Sequence, residues 1–250
     1  MSRITDFFNT SFAAAIARAS TIFNGVNELI DVGNVSALSP DRFDSFSFFA
    51  FCYPKDTGAN GIVNKRQQGG IYRGFEFRFN NGRINLAIVS TVNTNQIFLE
   101  TTNTYAIDNW YNVGFSYDGS SDISGVTIYV DGVSVPFTNL ANSLSGTIAT
   151  SFDFQIGASR QNVNYFNGNI AQCTFIGKEV SSSEALEIYN GGTPTDMSAV
   201  SFSSDVVSAW SLDASDDLTT SGGVTDYIGG HDGTAINMTA SNTDLTNFPT

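Results

Sequence analysis

Histidine and cysteine, which supply most zinc ligands and many catalytic bases and nucleophiles, are almost absent from this sequence. It has one histidine, His231, and two cysteines, Cys52 and Cys173. No pair of cysteines has the close spacing of a zinc site, and two cysteines do not make the framework of a disulfide-stabilised fold. Both lie in apolar runs, where a free cysteine behaves as a small hydrophobic residue. A bridge between them would require that the two side chains face each other across paired strands.

Positive charge is also scarce. The chain carries 11 Lys and Arg residues against 24 Asp and Glu residues, which gives a net charge of −13 and a pI near 4.2. This balance argues against nucleic acid or an anionic membrane as a partner. The basic residues cluster between Lys65 and Arg83, none follows Lys178, and acids continue to Asp244. We expect the acidic end to pack near the basic cluster; the alternative is that either surface meets a charged partner or divalent cations.

Long apolar runs are missing too. No window approaches about 18 consecutive apolar residues, so no transmembrane helix and no membrane insertion are expected. The first residues, MSRITDFFNTSFAAAIARAS, match a secretory signal poorly because Asn9, Thr10 and Ser11 interrupt the apolar part. The spacing of the apolar residues instead favours a short helix or arm over residues 1–19. We predict that this segment docks or oligomerises through one face, which carries Phe8, Phe12 and Ile16.

What the sequence does contain is short alternating runs separated by turn residues. Between Phe46 and Tyr53 both alternating sets are mainly apolar, so this strand is expected to be covered on both faces. Asn81-Gly82 and Asp131-Gly132 are strong signals for tight hairpin turns. After the N-terminal segment only one helix is predicted, near residues 182–189, with a serine cap before it and Gly191-Gly192 after it. Many short strands with little helix predict an all-β fold, a sandwich of two antiparallel sheets.

Three stretches form a recognisable set: Phe23–Gly33, Trp110–Gly132 and Phe166–Tyr189. The middle stretch contains Tyr-Asp-Gly at 117–119 and Tyr-Val-Asp-Gly at 129–132. Together they resemble the opening strand, the central hairpin and the closing strand and short helix of laminin G-like domains. Those domains belong to the concanavalin A-like lectin and glucanase superfamily. The resemblance covers about residues 20–192 and implies a jelly-roll sandwich of this type.

The chain departs from the family pattern in several places: in the opening strand, at Ala171 and Gln172, which replace acidic residues, at Phe51, which replaces a tryptophan, and in the tail. Asn24 and Asn27 stand where the family usually has aspartate, which weakens an inherited calcium site near the opening strand. The tail Val206–Gly233 resembles a pattern that often precedes the opening strand, although here it follows the closing one. We therefore expect residues 193–250 to fold back beside the N-terminus and to complete a single sandwich over residues 20–250.

Catalytic residues are not predicted. The superfamily's glucanases need two carboxylates across a sugar bond, about 5–10 Å apart, and no strand carries their Glu-x-Asp-x-Glu pattern. His231 lies in a glycine-rich turn, where a turn residue is the better interpretation than a general base. A protein without catalytic residues requires no catalytic cofactor, and none is predicted. Calcium is the one candidate, because Asp118 and Asp122 lie in the loop YDGSSDISG and calcium prefers such oxygen ligands; ordinary turn chemistry is the alternative.

Two loops have the composition of a glycan-binding site. Such sites combine an aromatic ring with amide, carboxylate or guanidinium groups, and loops on a rigid sandwich often carry them. The first loop offers Tyr72 and Arg73, and the second offers Arg160, Asn162 and Tyr165. The alternative is that these are ordinary surface residues.

The function that this reading implies is display and binding rather than catalysis. The whole arrangement is similar to standalone domains of this kind in bacteriophage virion proteins. We therefore expect a non-enzymatic virion protein, a capsid decoration, head fibre or tail appendage, at the virion surface. Its expected partners are other virion proteins, further copies of itself and cell-surface glycans. The alternatives are a secreted carbohydrate-binding module and, less favoured, a glycoside hydrolase.

Overall fold

The structure, a computed structural model, describes residues 19–250. The predicted docking residues Phe8, Phe12 and Ile16 lie outside the described residues. The one α-helix of the described part is α1 (Ser182–Tyr189), and none of its helices is long and apolar enough to cross a membrane. The strands in chain order are β1 (Ser20–Asn24), β2 (Leu29–Gly33), β3 (Phe46–Pro54), β4 (Asn60–Arg66), β5 (Gly74–Asn80), β6 (Arg83–Thr91), β7 (Asn95–Thr101), β8 (Tyr111–Tyr117), β9 (Val126–Val130), β10 (Val133–Val135), β11 (Phe137–Asn142), β12 (Phe154–Ile156), β13 (Asn167–Ile176), β14 (Val206–Trp210), β15 (Thr234–Ile236) and β16 (Thr243–Asp244).

These strands form two antiparallel sheets, which confirms the predicted β-sandwich. The first sheet has the order β10-β9-β8-β3-β13-β1-β16, and β14 also pairs with β13. The second sheet has the order β11-β7-β6-β5-β4-β12-β2-β15. The C-terminal part of the chain contributes a strand to each sheet: β16 pairs with β1 in the first and β15 pairs with β2 in the second.

The core between the sheets is rich in phenylalanine. The ring of Phe46 lies 5.2 Å from that of Phe75 and 5.6 Å from that of Phe115, measured between centroids. Pairs at these distances add stabilisation beyond the apolar area that they bury. Cys52 and Cys173 are both free and fully buried, and burial raises the pKa of each thiol. They therefore behave as small core residues, as expected.

Strand β3 is covered on both faces, as its sequence predicts. Phe48 packs in the core between the sheets, whereas Phe49 belongs to a second apolar cluster that also contains Ala185 and Ile188 of α1. The helix begins with a complete capping box, in which the Ser181 hydroxyl accepts from the Glu184 backbone N–H and the Glu184 carboxylate accepts from the Ser181 N–H. The predicted helix and its cap are confirmed.

Both predicted hairpin turns are present. Asn81 and Gly82 have φ of 51° and 71°, and Asp131 and Gly132 have φ of 52° and 74°. Positive φ at both central residues is the geometry of the turn that matches the twist of paired strands. The first of these turns joins β5 to β6 and so fixes the register of the strands that carry Arg78 and Arg83.

Candidate functional site

The outward face of the second sheet carries a group of charged side chains. Along β5, Phe75, Phe77 and Phe79 point into the core. Because side chains alternate along a strand, Glu76 and Arg78 lie on the opposite, outward face. Arg66, at the end of β4, pairs in register with Gly74. Glu76 lies two residues further along β5, so Arg66 and Glu76 are diagonal neighbours on the same face of the sheet.

Three guanidinium groups surround the carboxylate of Glu76. Its Oε1 lies 2.7 Å from a terminal nitrogen of Arg66 and 3.5 Å from one of Arg78. Its Oε2 lies 3.6 Å from Nε of Arg160. The side chains of Arg66 and Glu76 are only 6% and 3% exposed, so the pair is withdrawn from water. Burial lowers the pKa of Arg66, and nearby Arg160 and Arg78 lower it further while Glu76 opposes them.

The loop between β4 and β5 places Tyr72 beside this group. The Tyr72 carbonyl accepts a hydrogen bond of 2.9 Å from Nε of Arg66. The centroid of the Tyr72 ring lies 5.7 Å from the guanidinium carbon of Arg66 and 5.9 Å from that of Arg160, within the range of cation–π attraction. Gly74 closes the loop with φ of +119°, and a Cβ there would lie 1.9 Å from the Lys65 carbonyl oxygen. Only glycine therefore permits the chain to return so close to β4.

A second loop, residues 157–164, brings Arg160 over the same face. Four of its non-glycine residues have positive φ, namely Arg160, Gln161, Asn162 and Asn164. Hydrogen bonds offset this backbone cost: the Asn162 side chain accepts from Nε2 of Gln155 at 3.1 Å, and Gln161 donates to the Asp153 carbonyl at 2.7 Å. The Asn64 side chain donates to the Ala158 carbonyl at 3.0 Å. This amide network fixes the loop on the sheet and so positions Arg160.

Arg66, Glu76, Arg78 and Arg160 line a small cavity of about 140 Å³, which we call the arginine cavity. Its floor follows a row of paired residues, Glu76, Ala87 and Phe98, across β5, β6 and β7. Ala87 is the small member of this row and creates the depression. The complete lining is Arg66, Glu76, Arg78, Ala87, Val92, Asn93, Gln96, Phe98 and Arg160.

The structure brings together three of the five residues that the sequence analysis proposed for glycan binding. Tyr72 and Arg160 lie at the arginine cavity, and Asn162 supports the loop that carries Arg160. Within residues 19–250, no ion pair, ring contact or side-chain hydrogen bond links Arg73 or Tyr165 to this group. Arg66, Glu76 and Arg78 were not among the predicted site residues. For Glu76 and Arg78 the signal was the alternation of charge with phenylalanine in Arg73–Phe79, which marks an outward charged face.

The two aspartates proposed for calcium serve the local turn. Asp118 accepts from the Ser120 N–H at 2.8 Å, and Asp122 accepts from the Ser124 N–H at 2.8 Å and from the Asn142 amide at 3.0 Å. These bonds lower the pKa of Asp122 to about 2. In the part of the chain that the structure describes, no group of three or more His, Cys, Asp or Glu side chains could hold a metal ion.

His231 has a serine and an aspartate as neighbours, but not in the order of a catalytic triad. Its Nδ1 lies 2.8 Å from the Ser208 hydroxyl and 3.4 Å from Oδ2 of Asp226. A triad uses both ring nitrogens, one facing the nucleophile and the other facing the acid. Asp226 also accepts from four backbone N–H groups, those of Ala209, Ile228, Gly229 and His231. The arrangement therefore closes a turn of the C-terminal region.

A shallower depression of about 410 Å³ lies at one end of the sandwich beside Phe43. The Phe43 side chain is 67% exposed, and the Arg42 guanidinium lies 3.7 Å from the centre of its ring. This exposed ring is a second aromatic surface where a glycan could bind, and a substitution of Phe43 can therefore serve as a control for substitutions at the arginine cavity.

Comparison with known proteins gives the family and the fold. Residues 24–185 match a family model, Laminin_G_3, described as the concanavalin A-like lectin/glucanases superfamily. No curated protein sequence matches the chain significantly. A Bacteroides ovatus protein described as a candidate carbohydrate binder has 16% identity and a TM-score of 0.66, over 93% of this chain and 61% of its own. This chain thus spans less than two thirds of that protein.

Two smaller structures are also similar in fold. The CBM40 domain of a Ruminococcus gnavus sialidase, solved with α2,3-sialyllactose, has 10% identity and a TM-score of 0.52, over 68% of this chain and 97% of its own. A heptameric pentraxin from Limulus polyphemus has 12% identity and a TM-score of 0.52, over 71% of this chain and 84% of its own. At these identities the similarity concerns the fold.

Proposed function

Because the chain belongs to the concanavalin A-like lectin/glucanase superfamily, we propose that it is a carbohydrate-binding domain whose glycan site is the arginine cavity. The observation that carries this proposal is that an aromatic ring lies beside a depression on a rigid sheet and contacts two of the arginines that line it. Tyr72 supplies the ring, and Arg66, Arg78 and Arg160 supply hydrogen-bond donors. Binding sites for small ligands combine apolar surface with placed polar groups, and the arginine cavity has both, with charged groups in excess.

The similar structures support the same class of ligand. One of them is described as a candidate carbohydrate binder, and another was solved with a bound oligosaccharide. Fold alone does not determine function. The proposal therefore rests on the residues of this chain, and the comparisons add support.

We further propose that the domain binds its ligand without cleaving it. Glycoside hydrolysis uses two carboxyl groups on opposite sides of the scissile bond. Among the residues that line the arginine cavity, Glu76 is the one acid, and it is held by arginine partners. One carboxyl group cannot fill both roles of that mechanism, which supports a binding role.

Binding of the full-length protein to a broad glycan array, in calcium and then in a chelator, tests the proposal. We expect a set of glycans to bind in both conditions, because Glu76, the one carboxylate among the residues that line the arginine cavity, is already held by three arginines. Tyr72→Ala should weaken that binding about tenfold or more, as loss of a buried aromatic contact usually does. Loss of binding on chelation would instead support the loop with Asp118 and Asp122.

Two control variants locate the site. Tyr165→Ala removes a tyrosine of the neighbouring loop segment, and Phe43→Ala removes the exposed ring at the end of the sandwich. Both should bind like the parent protein. If Phe43→Ala abolished binding and Tyr72→Ala did not, the glycan site would lie at the end of the sandwich. An array with no bound glycan in either condition would contradict the proposal.

For the biological setting we propose display on a virion surface, with residues 1–19 as the attachment segment. The resemblance to phage-borne domains of this type supports it. The protein should co-purify with particles of the virus that encodes it, and a variant lacking residues 1–19 should not. Mass spectrometry of washed particles measures both. Recovery of the full-length protein only from the surrounding medium would favour the alternative, a secreted carbohydrate-binding module.

A further inference from the structure

We propose that the arginine cavity binds a carboxylate group of an acidic sugar. This inference rests on the proposed carbohydrate-binding function and specifies the class of glycan. It starts from a charge imbalance: three guanidinium groups meet one carboxylate, that of Glu76, so the group carries two excess positive charges. This local excess occurs in a chain whose net charge is −13.

The positions of the donors are fixed before any ligand arrives. Arg66 and Arg78 project from paired strands, and Arg160 is carried by the loop that the amide network holds on the sheet. Side chains held in this way lose little freedom when a ligand binds, which favours affinity. The cavity therefore presents a preformed set of cationic donors.

Glu76 leaves most of these donors unused. A guanidinium has five N–H donors, and Glu76 approaches one nitrogen of each arginine. The Nε atoms of Arg78 and Arg160 are buried and have no hydrogen-bond partner in residues 19–250. A second carboxylate would meet the terminal N–H groups that Glu76 leaves free, offset the excess charge and match the planar geometry of guanidinium groups.

The walls of the cavity favour a carboxylate on a sugar ring over a simple inorganic anion. Ala87, Val92 and Phe98 give apolar surface beside the charged groups, and the Tyr72 ring lies at the edge. A sugar ring can place its C–H groups against such surface while its carboxylate meets the arginines. The volume, about 140 Å³, is below the ~300–1,000 Å³ typical of sites for larger ligands. It therefore suits one sugar unit and not a chain.

Calorimetric titration of the full-length protein compares the relevant probes directly. The carboxylated probes are glucuronic acid, galacturonic acid and N-acetylneuraminic acid, and the neutral probes are glucose and galactose. Glucose 6-phosphate and inorganic sulfate test for general anion binding. We expect at least one carboxylated sugar to bind about ten- to a hundredfold more tightly than every neutral probe, the usual effect of a charge-assisted hydrogen bond. Added salt should weaken that binding.

A matched pair of variants assigns the effect to the cavity. Arg160 and Arg83 are similar in exposure, both 33%, and in the length of their ion pairs with glutamate, 3.6 and 3.7 Å, but only Arg160 lines the cavity. Arg160→Gln should weaken binding of the carboxylated sugar about tenfold or more, and by a larger factor than it weakens binding of the neutral sugars, because the lost positive charge acts on the carboxylate alone. Arg83→Gln should change neither.

The possible failures are distinguishable. Equal affinity for neutral and carboxylated sugars at the Tyr72 site would overturn this inference and leave the proposed function intact. Phosphate or sulfate binding as tight as that of the sugars would also overturn it, because the site would then be a general anion site. An equal loss in Arg160→Gln and Arg83→Gln would show that the selectivity arises elsewhere. Absence of any glycan binding would remove the proposed function as well.

Discussion

Replacement of Glu76 by glutamine is expected to lower the free energy of unfolding by about 3–5 kcal/mol, the usual cost of removing one partner from a buried ion pair. The reason is the charge balance of the cavity. Glu76 is the carboxylate that faces Arg66, Arg78 and Arg160, and its side chain is 3% exposed. Without its charge the three guanidinium groups would repel one another in a partly dry environment, where such repulsion is poorly screened.

Chemical denaturation measures this loss as a shift of the unfolding midpoint at unchanged slope. Glu100→Gln is the matched control, because Glu100 also pairs with an arginine of the same sheet but is 29% exposed. The control should lose no more than about 1 kcal/mol, as exposed ion pairs do. Equal losses in the two variants would mean that water, and not the charge of Glu76, offsets the repulsion among the three guanidinium groups. That result would contradict the prediction.

The second large effect is expected at Gly61, where β4 meets the loop that carries Arg160. A Cβ on this residue would lie 2.1 Å from the backbone carbon of Ala158 and 2.3 Å from the backbone nitrogen of Ser159. Backbone atoms cannot yield as a side chain can, so Gly61→Ala must push the loop from the sheet. We expect a loss of about 3 kcal/mol, as for overpacked sites, together with weaker glycan binding because Arg160 moves.

Gly33→Ala separates this contact from the general effect of losing a glycine. A Cβ at Gly33 would meet nothing within 4 Å, although its φ of +80° makes alanine unfavourable there. That variant should lose only about 1 kcal/mol and should bind glycan like the parent protein. Thermal unfolding and titration with the best array glycan measure both effects. Normal binding by a folded Gly61→Ala variant would show that the loop position does not matter for the site.

The fold could be predicted from the sequence because its signals are local. The alternation through Phe46–Tyr53 predicted a strand buried on both faces. Asp131-Gly132 predicted the turn between β9 and β10 without reference to distant residues. The capped helix α1 was predicted for the same reason, since Ser181 and Glu184 are three residues apart. Hydrophobic period and turn chemistry are the strongest signals that a single sequence carries.

The candidate site was predicted only in part because it is assembled from distant segments. Tyr72 and Arg160 were proposed from loop composition, but nothing local shows that their loops meet over the same strands. The alternation along β5 indicates only that Glu76 and Arg78 share an outward face, where charged residues are usually solvated. What buries them is the fit of residues 157–164 against Gly61, a contact across about a hundred positions that the sequence does not reveal.

The pairing of β16 with β1 determines which edge of the domain would lie next to anything attached to its ends. The Ser20 hydroxyl donates to the Asn247 carbonyl at 2.6 Å, so the first strand and the last residues lie side by side at one edge of the first sheet. The arginine cavity opens on the other sheet. A tether at either end therefore holds the domain by the same edge. We thus expect a reporter fused at the C-terminus to leave the arginine cavity unobstructed.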